Sequence, residues 1–566
     1  MKTKLKIVFI LIFLLAPLLV RAEQIGQIVN FFVDPSYDLK GRSQITASLQ
    51  KIGFRSYFYL DENWWSNLDK SQQNEVQKAL SFLADEFDQK IYPTLTSTFG
   101  SEWRPGIDND YSITILIHPM QKEAGGYFNS ADEYPIIQAP KSNQREMVYL
   151  NAQHIEGPNI KSLLSHEFLH LIIFNQKERI YGIAEEIWLN EARSEYAPTL
   201  LGYDDEFEGS NLQNRVKDFL SNPSDSLTEW KNEKADYGVL NLFTQYLVDH
   251  YGIKILVDSL QSAKIGIPSL NYALEKNGFE KDFSQIFTDW TITVLVNDCS
   301  LNEKYCYQNE NLKNLRISPQ TNFLPLIGES SLALTDKTKN WAGNWYKFIG
   351  GQGTLNLEFS GDSRVTFKVP YLTRDISGQY SVNFFQLDKN QNGKISIPNF
   401  RKEITSLVII PSIQSKISDF SKSEPSFSFF WKVSIVEKTK EEREAELIKK
   451  LLAQIEELKK EIARLQAQIN AILSQKIGTC TFSSNLYYGM MNNSEVRCLQ
   501  EFLKSQGPEI YPEGLVTGNF LSLTKAAVIR FQEKYASEIL APWGITKGTG
   551  FVGETTRAKI NQLLSY

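Results

Sequence analysis

Apolar positions recur at helical spacing along the first half of the chain. Between residues 67 and 89, Val76, Leu80, Leu83 and Phe87 lie three or four positions apart, which predicts an amphipathic helix. Similar or more continuous apolar patterns predict helices over residues 160–177, 186–197 and 236–251. Short apolar runs between turn residues predict strands over residues 112–117 and 147–150. This part of the chain therefore mixes helices and strands.

The pattern changes after residue 318. Short runs that alternate apolar and polar residues lie between clusters of Gly, Asp, Asn and Pro. The runs cover residues 354–359, 365–369, 380–387 and 406–410. Such strands with turn signals between them are typical of two packed sheets, so we expect an all-β sandwich over residues 318–436.

Residues 437–478 carry a seven-residue repeat. Apolar side chains at alternating steps of three and four form its seam: Ile448, Leu451, Ile455, Leu458, Ile462, Leu465, Ile469 and Ile472. Isoleucine at the first core position of each repeat, with mostly leucine at the second, favours a parallel two-stranded coiled coil. The sequence predicts a parallel homodimer through residues 448–472, with an isolated, charged spacer helix as the alternative.

Length and composition bound these expectations. A chain of 566 residues is too long for one core, and about two to four domains are expected. The net charge of −6 gives no basic surface for nucleic acid, so that class of partner is disfavoured. The predicted fold class is multidomain α+β. Its segments are a signal peptide (1–22), a mixed α+β domain (23–317), the β-sandwich (318–436), the coiled coil (437–478) and a small α-helical domain (479–566).

The first 22 residues have the pattern of an export signal. Lysines precede an apolar stretch from Ile7 to Val20, and Ala22 completes an acceptable cleavage site. The stretch is short for a membrane span, and an uncleaved N-terminal anchor is the alternative. Export makes disulfides plausible for the four cysteines. Proximity in sequence favours the pairs Cys299–Cys306 and Cys480–Cys498.

A candidate metal site lies in the helix predicted over residues 160–177. His166 and His170 are four residues apart, so both imidazoles leave the same helix face. That spacing suits two ligands of a tetrahedral Zn²⁺, and Glu167 beside them can act as the general base toward a water molecule. Two core histidines beside an unrelated glutamate are the structural alternative. The surrounding helix is strongly apolar, which makes charged groups there costly without a purpose.

A third zinc ligand is needed, and four glutamates of the next predicted helix region are close together in sequence. They are Glu185, Glu186, Glu191 and Glu195. Glu191 and Glu195 share one helix face. We favour Glu191 as the ligand and Glu195 as an acceptor that orients a ligand histidine.

These residues resemble a family pattern. His166-Glu167-x-x-His170 with Asn190-Glu191-Ala192-x-Ser194-Glu195 is similar to the gluzincin metallopeptidases, as in thermolysin, except that Glu195 stands where that family has Asp. The wider stretch 123–200 is closer to the hyicolysin-like metallopeptidases. The resemblance covers roughly residues 30–300 and implies a zincin-type catalytic domain with metalloendopeptidase activity.

The same resemblance implies two further features of the site. The first is an edge strand that aligns an extended substrate, for which Gly126 to Asn129 is the candidate; an ordinary surface hairpin is the alternative. The second is a side chain that stabilises the oxyanion. We assign that role to Tyr237, and the alternatives are Tyr181, His250 and His154. For each tyrosine, a packed aromatic side chain without a catalytic role is the structural alternative.

The last segment resembles the small three-helix peptidoglycan-binding domains. The match runs through Val496-x-Cys498-Leu499-Gln500, Gly518, Thr524 and Phe531-Gln532 to Gly553-x-x-Thr556. It implies peptidoglycan or the cell wall as a partner. The insertion at residues 536–550 departs from the family pattern.

A weaker signal lies between two runs of the predicted sandwich. Asp388-x-Asn390-x-Asn392-Gly393 resembles the first half of a calcium loop, but Asn399 stands where the bidentate Glu would be. A hairpin turn at Asn392-Gly393 is the simpler interpretation.

Together these signals predict an exported, zinc-dependent metalloendopeptidase that acts on proteins or peptides and is secreted or held at the cell wall. One alternative is a hydrolase of peptidoglycan cross-bridges. Another is a non-catalytic surface protein that binds the cell wall.

Overall fold

The computed structural model describes residues 23–326, 328–415, 423–436, 440–477 and 480–565. The predicted export signal, residues 1–22, lies outside the described residues. The chain divides into two compact units, residues 1–437 and 438–566. Among the described residues, no helix is both long enough and apolar enough to cross a membrane.

A six-stranded sheet forms the N-terminal part of the first unit. Its strands are β1 (Ile28–Phe32), β2 (Gln44–Ile52), β3 (Ser56–Asp61), β4 (Ile113–His118), β5 (Gly126–Tyr127) and β6 (Met147–Asn151). Their order across the sheet is β1-β2-β3-β4-β6-β5. Strands β3, β4 and β6 are parallel, whereas β5 pairs antiparallel to β6 and forms one edge.

Ten α-helices belong to the described part of this unit. They are α1 (Glu62–Ser66), α2 (Lys70–Glu86), α3 (Tyr92–Phe99), α4 (Ile160–Ile173), α5 (Ile187–Leu200), α6 (Asn211–Ser221), α7 (Lys234–Tyr251), α8 (Lys254–Leu260), α9 (Gly266–Lys276) and α10 (Phe283–Val296). Helices α2 and α4 cover one face of the sheet in a shared apolar core. Phe168 of α4 packs between the rings of Phe87 and Tyr92, with centroids 5.0 and 5.5 Å away. This aromatic packing holds α4 against the end of α2 and the start of α3.

Residues 320–436 form a second β region. Its strands are β7 (Gln320–Leu324), β8 (Ser330–Thr338), β9 (Tyr346–Gly350), β10 (Gly353–Gly361), β11 (Phe367–Lys368), β12 (Pro370–Asp375), β13 (Tyr380–Phe384), β14 (Asn392–Phe400), β15 (Ile404–Ile409), β16 (Ser412–Ile413) and β17 (Phe427–Val436). Hydrogen-bonded neighbours form two sets of strands, one in the order β13-β12-β15-β9-β7 and the other in the order β14-β10-β17-β8. The two sets join through the single pair Phe400 and Ile404. Phe348 of β9 lies 4.9 Å from Trp431 of β17, ring centre to ring centre, so the two sets pack face to face.

Two tryptophans attach this β region to the helices of the same unit. The ring of Trp341 packs on Phe283 and Phe287 of α10, at 4.8 and 5.3 Å. The indole N–H of Trp345 donates to the backbone carbonyl of Thr291. Both tryptophans belong to the same apolar core as the helices, which is why the helices and the β region form one compact unit.

The predicted class, several mixed α and β parts in more than one compact unit, is confirmed. The predicted helices are present with shifted ends, and the one over residues 160–177 ends as an α-helix at Ile173 and continues as a wider π turn, Phe174–Arg179. The run 365–369 is shorter than predicted, because only Phe367–Lys368 pairs, with β16. Both predicted disulfides, Cys299–Cys306 and Cys480–Cys498, are confirmed.

The stretch that resembles half a calcium loop is the connection from β13 to β14. One carboxylate oxygen of Asp388 accepts hydrogen bonds from the backbone N–H groups of Asn390 and Asn392. Gln391 adopts a left-handed backbone conformation with φ 62°. The carboxylate thus closes a tight turn by itself. The hairpin interpretation is wrong in detail, because Asn392 and Gly393 already belong to β14 and β14 pairs with β10 rather than with β13.

The second unit contains one long helix and a small helical domain. Its helices are α11 (Lys440–Ile477), α12 (Ser494–Ser505), α13 (Ser522–Lys534), α14 (Ala536–Ile539) and α15 (Glu554–Leu564). Two buried glutamines organise the domain. Gln500 of α12 accepts from the N–H groups of Thr517 and Gly518, and Gln532 of α13 accepts from Gly550. Each amide thus holds the loop that leads to the next helix.

The apolar seam of α11 is solvent-exposed. Exposed fractions for seven of its side chains run from 45 to 64%: Ile448, Leu451, Ile455, Leu458, Ile462, Leu465 and Ile469. A continuous apolar stripe of this kind is unfavourable in water. We propose that a second copy of α11 covers it in parallel, as the repeat predicts.

This proposal predicts that the mass of the full chain in sedimentation equilibrium rises with concentration from one chain toward two. Replacing Leu458 and Ile462 together by Lys should hold the mass at one chain, because two seam positions become charged. Ala463→Lys, on the opposite helix face, is the matched control and should still dimerise. A wild-type mass of one chain, 64.8 kDa, at every concentration would contradict the dimer.

A buried acidic pair lies where β5 and β6 meet the preceding loops. Glu133 and Glu146 are each 2% exposed, and one carboxyl oxygen of each has no hydrogen-bond partner among the described residues. Burial raises the pKa of Glu146 to about 7, and burial and the Glu146 charge raise that of Glu133. A proton shared between the two carboxyls satisfies both groups.

The pKa of Glu146 predicts a pH effect on stability. A raised folded-state pKa means that the folded protein binds the proton more tightly, so stability is highest below the ordinary pKa and falls as pH rises through about 7. Glu146→Gln should therefore raise the urea midpoint at pH 8 relative to wild type, and raise it less at pH 5. Glu75→Gln on the exposed face of α2 is the control, and an equal effect at both pH values would contradict the shared proton.

Candidate metal centre

Helices α4 and α5 bring three predicted site residues together. The apolar residues of α4 bury the helix almost completely, and this holds His166 and His170 one turn apart above α5. Glu191 reaches them from the first half of α5. The side chains of His166 and Glu191 keep 12 and 16% of their surface exposed, so the group is mostly buried but still reaches solvent.

The distances among these residues fit one metal ion. The Nε2 atoms of His166 and His170 are 3.0 Å apart. The carboxylate of Glu191 lies 3.3 Å from the first and 3.6 Å from the second. Ligands placed about 2.0–2.1 Å from a tetrahedral Zn²⁺ are about 3.4 Å from one another. The three donors can therefore bind one ion together without rearrangement.

The outer nitrogens of both imidazoles have acceptors. Nδ1 of His170 donates to the side-chain oxygen of Asn190 at 2.9 Å, and the Ser194 hydroxyl is 3.1 Å away. Nδ1 of His166 lies 3.3 Å from the carboxylate of Glu195. A ring proton on each Nδ1 leaves both Nε2 lone pairs directed at Glu191. The hydrogen bonds thus select the tautomers that a metal needs.

The centre favours a positive charge. One oxygen of Glu191 is buried and has no hydrogen-bond partner among the described residues. Burial opposes ionisation of this carboxyl, but His170 and His166 outweigh it and lower its pKa to about 2. Conversely, although burial opposes protonation of the imidazoles, the Glu191 carboxylate raises the pKa of both. Either protons on the imidazoles or a cation among the ligands supplies that charge.

Glu195 is held from behind by Arg215 of α6. The guanidinium donates two hydrogen bonds of 2.7 Å to the two carboxylate oxygens. Burial opposes ionisation, but Arg215 and His166 lower the pKa of Glu195 well below its usual range. Glu195 therefore stays ionised and keeps the His166 ring in place.

The catalytic candidate Glu167 lies against the edge strand β5. A Cβ atom added to Gly126 would be 3.0 Å from Cγ and 3.1 Å from Oε1 of Glu167, so a side chain at Gly126 would displace the carboxylate. Burial raises the pKa of Glu167; the imidazoles oppose this shift, and the carboxylates of Glu191 and Glu195 add to it. A glutamate with a raised pKa is suited to proton transfer near neutral pH. Of the predicted edge segment, only Gly126–Tyr127 is a strand, because the Asn129 side chain caps the helical turn that follows.

The other two glutamates considered as ligands have structural partners instead. Glu185 accepts from the guanidinium of Arg193 at 2.8 Å and from the N–H of Gly266. Glu186 accepts from the indole of Trp188. Since neither belongs to the group around the imidazoles, the structure selects Glu191 from the four glutamates.

Helix α8 anchors both ligand-bearing segments. Lys177, in the π turn that extends α4, donates to the carbonyls of Ser259, Leu260 and Ser262. Arg193 of α5 donates to the Leu256 carbonyl and the Ser259 hydroxyl. The last carbonyls of a helix have no N–H donors within the helix. These two buried cations donate hydrogen bonds to the end of α8 instead.

The structure places Tyr237 beside the centre. Its ring lies over the guanidinium of Arg215 at 4.6 Å and packs edge-on against Trp230. Its hydroxyl donates to the side chain of Asn232. Burial, then the charges of Glu191 and Glu195, raise its pKa well above the usual range, so the phenol remains a hydrogen-bond donor at all ordinary pH values.

The alternatives to Tyr237 have other roles. Tyr181 donates to the carbonyl of Gln261, and His250 contacts the carbonyl of Cys306. His154 ends the short helical turn after β6. None of the three is among the residues that the structure brings to the metal centre.

Three contributors were not assigned a role from the sequence. Asn190 and Ser194 lie one residue before and three residues after Glu191, so helical spacing could have indicated that they face the same way. Arg215 belongs to a separate helix, and no local pattern connects it with Glu195.

Comparisons with known proteins give no assignment. No protein-family model matches the chain, and no curated protein matches it. Among solved structures, the chain is similar to a pre-peptidase C-terminal domain of collagenase from Bacillus anthracis (8% identity, 20% of this chain and 96% of that chain, TM-score 0.14). It is also similar to PliG from Aeromonas hydrophila, a periplasmic inhibitor of g-type lysozyme (11%, 21% and 100%, TM-score 0.14). A third is the GH115 4-O-methyl-α-glucuronidase BtGH115A (7%, 59% and 52%, TM-score 0.13). These scores are too low to assign a fold.

The contact between Glu195 and His166 predicts the effect of one substitution. Glu195→Gln removes the negative acceptor of His166 Nδ1 and the partner of Arg215, and metal affinity should fall about 10- to 100-fold. Competition with a chromogenic chelator measures that affinity. The control is Glu206→Gln, an exposed carboxylate, which should bind metal as wild type does; equal affinity in all three proteins would contradict the role of Glu195.

Proposed function

We propose that the protein is a zinc-dependent metalloendopeptidase. The observation that carries this proposal is the convergence of His166, His170 and Glu191 within 3.0–3.6 Å of one another, with both outer imidazole nitrogens on acceptors. Two nitrogens and one carboxylate with an open side toward solvent are the donor set of catalytic zinc sites. The zincin-type resemblance of the motif supports the same conclusion.

In this proposal the three ligands hold Zn²⁺, which when bound polarises the scissile carbonyl and makes water more acidic. Glu167 accepts a proton from the attacking water and transfers it to the leaving amine. Its burial supports this role, because a desolvated carboxylate is a stronger base than one in water. The Tyr237 hydroxyl, which donates to the Asn232 side chain in the structure, would exchange that partner for the developing oxyanion.

We propose that the substrate binds as an extended polypeptide along β5. This strand has β6 on one side only, and among the described residues no strand covers its other edge. Free backbone N–H and C=O groups on an edge strand can pair with an extended peptide. Gly126 supports this proposal, because the strand passes close enough to Glu167 to bring a paired peptide bond to the general base.

We propose that the enzyme is exported and held at the cell wall by its second unit. The two disulfides support an oxidising location, and the resemblance of residues 480–566 to peptidoglycan-binding domains supports the wall as a partner. A hydrolase of peptidoglycan cross-bridges is the second candidate, because such a unit would present the metal centre to wall peptides.

The decisive variant is Glu167→Gln. It should bind zinc as wild type does, because Glu167 is not a ligand, but should lose casein cleavage by a factor of at least about 100. Zinc content measured by atomic absorption and release of labelled casein fragments give the two readouts. Glu178→Gln in the π turn after α4 is the matched control and should keep both properties.

Full activity of the Glu167 variant would contradict the proposed mechanism. Casein and purified cell walls, each assayed with and without a chelator, separate the two candidate substrates. A non-catalytic wall-binding protein would cleave neither in a chelator-sensitive way.

A further inference from the structure

Tyr37, in the loop between β1 and β2, is the outermost ring of a stack of three tyrosines. Its ring is 4.6 Å from that of Tyr127 at an angle of 22°, and Tyr127 is 4.1 Å from Tyr149 at 10°. Tyr127 follows Gly126 in the edge strand. The stack therefore fixes Tyr37 on the strand that lies beside Glu167.

The hydroxyls of the stack differ in their partners. Tyr149 donates to the carboxylate of Asp132, and the oxygen of Tyr127 accepts from the N–H of Asp34. The hydroxyl of Tyr37 has no hydrogen-bond partner among the described residues. A partly buried phenol without a protein partner can form its hydrogen bond with a ligand.

The loop that carries Tyr37 is rigidly attached. Arg42 donates to the carboxylate of Asp38 at 2.8 Å and also pairs with Asp61 at 2.7 Å. The backbone N–H of Gln121 donates to the carbonyl of Tyr37 itself. These bonds tie the loop to the segment that enters β5, so Tyr37 and the edge strand hold one position relative to each other.

The charges of the metal centre act on Tyr37. After burial, the largest contributions that raise its pKa are the charges of Glu167 and Glu191. Lys234 at the start of α7 pairs with Glu123, which precedes β5, at 3.2 Å. Tyr237 stands one turn beyond Lys234. The elements that carry the two phenols, the β1–β2 loop and α7, therefore both contact the segment that leads into β5.

Resting on the proposed function, we infer that Tyr37 contacts the substrate: its hydroxyl donates a hydrogen bond to a carbonyl oxygen of the polypeptide bound along β5. Its raised pKa keeps the phenol protonated, and thus a donor, throughout the neutral range. Tyr37 supplies this donor from the loop beside β5, whereas the hydroxyl of Tyr237 is bonded to Asn232.

The test is Tyr37→Phe, which preserves the ring stack on Tyr127 and removes only the hydroxyl. Cleavage of fluorescein-labelled casein should fall about 10- to 100-fold in kcat/KM. Binding of a phosphonate tetrapeptide, a tetrahedral mimic of the reacting carbonyl, should weaken by a similar factor in calorimetry. Zinc content and the melting temperature should equal those of wild type.

Tyr181→Phe is the matched control, because that hydroxyl already donates to the Gln261 carbonyl, and it should leave both readouts unchanged. Wild-type casein cleavage and phosphonate binding in Tyr37→Phe would overturn the role of Tyr37 alone. A wild-type chain that holds no zinc and cleaves no casein would instead overturn the proposed function, and the role of Tyr37 with it.

Discussion

One electrostatic constraint acts at the junction of α4 and α5, where three electron-pair donors face one another. Two imidazole nitrogens and the Glu191 carboxylate lie within 3.6 Å of one another in a mostly buried position. Without a cation or protons between them, these lone pairs would repel one another in a medium of low dielectric constant. The close approach of the three donors is therefore favourable when the centre carries positive charge.

Alternating charge extends outward from that centre. Glu195 lies behind His166, Arg215 behind Glu195, and the ring of Tyr237 covers Arg215. Each side chain in the series pairs with or packs on the one before it, so no charge in the series is buried without a partner. Because the last member is the ring of Tyr237, the geometry of the ligands and the position of this phenol are set by the same series of contacts.

The sequence predicted the local parts of this arrangement better than the distant ones. His166, Glu167 and His170 are neighbours on one helix, and an apolar helix is recognisable by its period. The choice of Glu191 over Glu185 could not be made by spacing alone; it depends on Arg193, which binds Glu185. Arg215 comes from another element, and only tertiary packing brings it to Glu195. Strand pairing likewise shortened the run at 365–369, because pairing partners are not encoded locally.

The attachment of both ligand helices to α8 has a consequence for how the site can be lost. Lys177 and Arg193 meet at Ser259, whose carbonyl and hydroxyl serve one cation each, although this serine touches neither an imidazole nor Glu191. A change at Ser259 would remove an anchor that α4 and α5 share, and this would alter the spacing of the donors while every ligand remained in the sequence. Chains that retain the whole motif can thus differ in whether they bind a metal, and inspection of the motif alone would not distinguish them.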